Sequence, residues 1–145
     1  MAKDKKRPSL PPQGANGKQV RFPAQSATPA RPLWAFRILD LGSPWCWSKM
    51  DHGTLLEVME RLGNFEGMTW TEIEQSTGSH PISKNLLIKS AQDRLIEIKQ
   101  DDVDELFSLR VNGKARIWGI REEHVLRVLW WDPEHQVCPS EKKNT

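Results

Sequence analysis

The spacing of apolar positions changes three times along this chain. Residues 33–40 (LWAFRILD) are dense in Leu, Trp, Phe and Ile and stop at Gly42-Ser43-Pro44, which predicts a strand closed by a turn. Leu55, Met59 and Leu62, with Leu56 beside them, then recur on one helical stripe. That spacing predicts a helix over 52–62 with Asp51 as its N-cap and Gly63 just past its end. Thr69 and Glu72 have the spacing of a capping box, so a short helix begins in MTWTEIEQ and stops before Gly78. Pro81 keeps His80 out of the helical region. Ser90 with Asp93 predicts a third capped helix, with Ala91, Leu95 and Ile98 facing inward, and Asp101, Asp102, Asp104 and Glu105 form an acidic connector.

In the last third the period falls to two. Phe107, Leu109 and Val111 alternate with Leu106, Ser108 and Arg110, and Asn112-Gly113 is a strong hairpin turn. KARIWGI (114–120) folds back as a second strand, and VLRVLWW (125–131) supplies a third before Asp132-Pro133 ends it. The order is an N-terminal strand, two or three helices, then an antiparallel three-stranded meander. This is an α+β domain with helices on one face of a mainly antiparallel sheet.

A two-residue loop at Asn112-Gly113 sets Val111 against Lys114, Leu109 against Arg116 and Phe107 against Trp118. A turn centred on Glu122-Glu123 then puts Arg127 opposite Trp118. In that register Lys114, Arg116, Trp118, Arg127 and Trp131 share one surface, and Arg110 lies on the other. Guanidinium groups beside large aromatics suit RNA, because they hold phosphates while indoles stack bases. The same residues also fit a second reading, in which Trp118 and Trp131 belong to the core and Arg116 or Arg127 pairs with helix carboxylates.

Charge divides the chain. Residues 1–32 carry seven Lys/Arg against Asp4 alone, a balance of +6, and hold six of the ten Pro, whereas residues 33–145 balance at −4. The first segment has too little apolar surface to offset its ordering entropy and reads as a disordered basic tail. Residues 33–145 read as one domain. No apolar run approaches the roughly 18 residues of a membrane span, and the basic start lacks the apolar stretch of a signal peptide. A soluble cytoplasmic protein without a membrane partner is expected. Cys46 and Cys138 lie far apart and read as free thiols.

Other chemistries find little support. The four His and two Cys show neither i,i+4 nor CxxC spacing, so neither a metal nor a cofactor is expected. GxGxxG, Walker and GxSxG motifs are absent. WWDPEHQVC (130–138) is the densest remaining chemistry: His135 suits acid-base work near neutral pH, with Asp132 or Glu134 to orient it. His80 joins such a site only if its loop folds over the sheet.

The run RVNGKARIWGI (110–120), followed by VLRVLWW (125–131) and Asp132-Pro133-Glu134-His135, resembles the strand pattern of the RelE/ParE toxin superfamily. The resemblance covers about residues 105–138. It implies a compact bacterial toxin of a toxin-antitoxin pair, with RNA, the ribosome and a cognate antitoxin as partners. It further implies metal-independent, cofactor-free messenger-RNA cleavage by attack of a ribose 2′-hydroxyl. Carried over by position, Arg116 resembles the central-strand arginine that stabilises the phosphate, Arg110 a second strand arginine, and His135 the late-strand acid or base. The expected reaction has Arg116 and Arg110 binding the scissile phosphate and His135 protonating the leaving 5′-oxygen. Lys114, Arg127, Trp118 and Trp131 would then contact RNA. The chain has no Tyr, so the family's late aromatic acid has no counterpart, and the 51–99 segment exceeds the usual helical hairpin. A non-catalytic module binding nucleic acid or protein is the alternative function.

Overall fold

The computed structural model describes residues 30–139. Most of the segment expected to be a disordered tail therefore lies outside the described residues. The elements are β1 (Leu33–Ala35), α1 (His52–Glu66), α2 (Trp70–Ser76), β2 (His80–Ser83), α3 (Lys89–Glu97), β3 (Glu105–Asn112), β4 (Ala115–Glu122) and β5 (Val125–Asp132). They form an α+β fold around a five-stranded mixed sheet of order β1-β5-β4-β3-β2, in which only the β1–β5 pair is parallel. The three expected meander strands are its centre, and β1 and β2 extend it at either edge. β2 was not anticipated. Its Pro81 cannot donate to a ladder, which an edge strand tolerates. Among the described residues no helix is long and apolar enough to cross a membrane.

The helices follow their local chemistry with two corrections. The Asp51 carboxylate accepts from the Thr54 N–H at 2.7 Å and starts α1 as expected. Gly63 does not end α1, which continues to Glu66 and closes at Gly67. Phe65, fully buried, explains the extra turn: stopping at Leu62 would leave it outside the core. α2 has the full capping box, Thr69 Oγ1 accepting from Glu72 N and Glu72 Oε1 from Thr69 N. α3 starts two residues earlier than the Ser90 cap requires. Ile88 occupies the N-cap without a side-chain hydrogen bond, and its N–H instead donates to Val137 O at 2.9 Å.

Helices cover both faces of the sheet, not one. Val58, Leu62, Phe65, Trp70 and Ile73 of α1 and α2 pack on Phe107, Leu109, Val111, Ala115, Ile117, Leu126, Val128 and Trp131. On the opposite face Leu87, and Ala91 and Leu95 of α3, pack on Leu106, Trp118, Ile120, Leu129 and Trp130. The central strands are apolar on both sides, the pattern of a sheet buried between layers.

The registers also differ from expectation. Asn112 pairs with Ala115, so Gly113-Lys114 is the turn, and Gly113 takes a positive φ of 39°. Val111 is an extra residue that shifts the ladder by one, and Arg110 faces Arg116. The expected register would have placed Lys114 and Arg116 among Leu109 and Val111 beneath α1. The bulge sends Ala115 and Ile117 there instead. A second bulge lies in β5. Trp118 pairs with Trp130 but Gly119 with Val128, which turns both Leu129 and Trp130 towards α3. Gly119 is needed there, because a Cβ would lie 2.6 Å from Arg127 O. The β4–β5 turn is Glu123-His124, one residue later than expected.

One buried ion pair ties α3 to the β1–β5 edge. Asp40, 5% exposed, accepts from Arg94 Nε at 2.9 Å and Nη2 at 2.7 Å, from Trp130 Nε1 at 2.9 Å and from Gly42 N at 3.0 Å. Burial pushes the carboxyl pKa up, but the hydrogen bonds from Arg94, Trp130 and Gly42 outweigh it and hold it at about 2. A depressed folded-state pKa contributes stability that is complete above the unfolded value near 3.9 and lost as pH falls through 2. Urea unfolding should therefore show wild type losing about 2 kcal/mol more than Asp40→Asn between pH 5 and pH 2. Equal losses would mean the pair carries no such linkage.

Candidate phosphate site at the hairpin end

The face that α3 covers continues past Trp118 towards the Gly113-Lys114 turn, and there its residues become basic. Arg110 and Arg116 are direct cross-strand partners on this face. Arg110 Nε and Arg116 Nη1 both donate to Gly113 O, at 3.0 and 2.8 Å, which brings the two guanidinium groups together. Neither forms a salt bridge with a described residue. Burial lowers the Arg116 pKa and the neighbouring Arg110 lowers it further, against an opposing pull from Asp132. Two unit charges ~6 Å apart repel by about 1 kcal/mol in water and about 3 kcal/mol at an effective dielectric of ~20, and these half-buried groups fall between. An anion bridging them would remove that cost.

Asp132 organises the neighbouring loop. It is fully buried on β5 beside Arg116, its cross-strand partner. Its carboxylate accepts from Trp118 Nε1 at 3.1 Å, from Gln136 N at 2.8 Å and from Val137 N at 2.9 Å. The chain therefore turns tightly through Pro133 to Gln136, and His135 takes a left-handed φ of 57°, a conformation non-glycine residues hold only where surroundings impose it. Burial lowers the His135 pKa below its usual 6.5, and Arg116 lowers it further; Asp132 opposes, while Arg110 and His80 add to the depression. At neutral pH the imidazole is the uncharged base.

The 78–80 segment flanks Arg110. A Cβ on Gly78 would lie 3.1 Å from Arg110 Nη1, and Gly78 has a positive φ of 81°. Ser79 Oγ accepts from Arg110 N at 2.9 Å. His80 follows, paired with Ser108 on the same face as Arg110, and remains exposed.

The structure thus unites Arg110, Arg116 and His135, the first two of which the expected register separated. It does not bring Trp118, Trp131 or Arg127 to this surface, and Lys114, beside Gly113, is engaged by a carboxylate. Trp118 is fully buried with its N–H on Asp132, and Trp131 is 6% exposed on the opposite face against α1 and α2. Neither indole can stack a base; each closes the core instead. Lys114 is paired with Glu134 at 2.5 Å. Arg127 is opposite Ile120, near the far end of β5, and meets Glu122 at 3.4 Å. Its distance along the sheet follows from the Leu129 bulge and the later turn. Ser79 and Gly78 escaped sequence reasoning because they act through backbone and packing on Arg110. Among the described residues no three His, Cys, Asp or Glu side chains are grouped to hold a metal ion.

Pyrophosphate should raise the melting temperature of wild type by several degrees, at roughly 4 to 8 °C per kcal/mol of binding linkage for a domain near this size. Arg116→Gln should abolish that shift while leaving the unliganded protein at least as stable at low salt, since a repulsion is removed. Differential scanning fluorimetry checks both, and an undiminished shift in Arg116→Gln would remove the anion site. Compared with known protein families, curated proteins and solved structures, the chain matches none.

Proposed function

We propose that this domain is a toxin-like endoribonuclease that binds one RNA phosphodiester at Arg110 and Arg116 and cleaves it through His135. The observation that carries the reading is the convergence, beside the His135 imidazole, of two guanidinium groups that form no salt bridge among the described residues. Guanidinium pairs fit the non-bridging oxygens of a phosphate and stabilise the extra charge of its pentacoordinate transition state. A depressed pKa suits His135 to remove the 2′-hydroxyl proton rather than to protonate the leaving group, the role expected of it from the sequence. The 2′-oxygen then attacks phosphorus, the bond to the 5′-oxygen breaks, and the products are a 2′,3′-cyclic phosphate and a 5′-hydroxyl end. Messenger RNA, the ribosome and an antitoxin belong to this reading as its partners.

A second reading, phosphate binding without cleavage, shares the arginines and leaves the imidazole without a chemical task. Cleavage of a labelled oligoribonucleotide separates the two. Arg116→Ala and His135→Ala should each lower the rate by ~10² to 10⁴. An oligomer with a 2′-deoxy group at the scissile position should bind and stay intact. Equal rates in wild type and both variants would overturn the nuclease.

A further inference from the structure

We propose that His80 is the general acid of this site, the group that protonates the departing 5′-oxygen while His135 acts as base. The inference rests on the nuclease reading and adds the catalytic residue which that reading lacks: with His135 neutral, nothing in it supplies a proton to the leaving group.

The placement comes from β2. Residues 78 and 79 contact Arg110 and residue 80 follows on the ladder: Gly78 lies against its guanidinium, Ser79 Oγ accepts from its backbone N–H, and His80 pairs with Ser108, two residues before Arg110 on the same strand face. His80 on the edge strand β2 and His135 on the loop after β5 thereby flank the two arginine-bearing strands, β3 and β4, from opposite sides. In-line displacement needs this relation, because the attacking 2′-oxygen and the leaving 5′-oxygen occupy opposite apices of the phosphorus. The electrostatic influence of His80 on His135 is consistent with that proximity.

The ring is oriented by its own strand. His80 Nδ1 lies 3.1 Å from Pro81 O, and a carbonyl oxygen only accepts, so Nδ1 carries the hydrogen. That contact leaves Nε2 as the ring nitrogen directed away from the backbone, and the proposed step requires the ring to enter with both nitrogens protonated. The proton balance closes. The 2′-hydroxyl proton passes to His135, the P–O5′ electron pair leaves with the 5′-oxygen, and that oxygen takes the Nε2 proton of His80. One ring ends charged and the other neutral, and exchange with water restores both.

The test uses two substrates of one base sequence: an RNA with its natural 5′-oxygen leaving group, and a ribonucleoside 3′-(4-nitrophenyl phosphate), whose nitrophenolate departs without a proton. His80→Ala should slow the RNA by ~10² or more and cleave the nitrophenyl ester within a few-fold of wild type. His135→Ala should lose both, since each substrate must be deprotonated at the 2′-hydroxyl. If His80→Ala retains RNA cleavage, or loses both substrates equally, the assignment of His80 is overturned while the nuclease stands. If wild type cleaves neither substrate, the nuclease falls and the role of His80 with it.

Discussion

Two buried carboxylates hold the middle of this molecule together, and each does so through an indole. Trp118 and Trp130 are cross-strand partners on β4 and β5, both fully buried. Trp118 donates to Asp132 and Trp130 to Asp40. A buried indole N–H left without an acceptor would cost about 1–3 kcal/mol, so each Trp requires its Asp. Each Asp also has oxygen capacity to spare, and that surplus reaches outwards. Asp40 uses it on Arg94 and Gly42, locking α3 to the turn after β1. Asp132 uses it on Gln136 and Val137, which shapes the loop carrying His135. The candidate site is thus anchored in the core by one side chain, and a rigid strand end, not a free loop, sets the position of its imidazole.

The bulges connect this core to the chemistry. Strict alternation through β3 and β4 would bury Lys114 and Arg116 under α1, whereas the extra Val111 turns the small and aliphatic residues inward and gathers Arg110 and Arg116 on the other face. The Leu129 bulge aligns Trp130 with Trp118 and turns Trp131 to the α1 and α2 side. Both devices give up regular ladder pairing, and both serve to place a polar constellation at the edge of an apolar sheet. A local positive site on a domain whose formal charge is −4 over residues 33–145 also has a selective consequence. Anions are drawn to one place rather than to the whole surface.

Much of the fold was legible because it rests on local chemistry: the Asp51 cap, the capping box of Thr69 and Glu72, and the apolar alternation of the last three strands each have one physical solution. The edge strand β2 was not, because four residues containing Pro81 carry no periodic signal and take their conformation from pairing with β3. Helices on both faces were foreshadowed by near-continuous apolar runs in β4 and β5, which exceed what a one-sided sheet needs. At the site, residue identity pointed to Arg110, Arg116 and His135, but their assembly depends on a one-residue slip. Asn112-Gly113 favoured the wrong turn, since a bulge decided by packing beneath α1 leaves no mark on local sequence. Trp118 and Trp131 misled for a related reason: Trp suits stacking and burial equally, and what decides is the Asp132 acceptor for Trp118 and packing against α1 and α2 for Trp131.

The central claim is that Arg110, Arg116 and His135 act on one anion together. Side-chain NMR of the arginine Nε and histidine ring nitrogens, recorded while a non-cleavable dinucleotide carrying one phosphodiester is titrated in, tests it directly. The account predicts that these three residues shift together and fit a single dissociation constant, with Arg127 unmoved. Shifts that fit separate constants, or that centre on Arg127 instead, would contradict it.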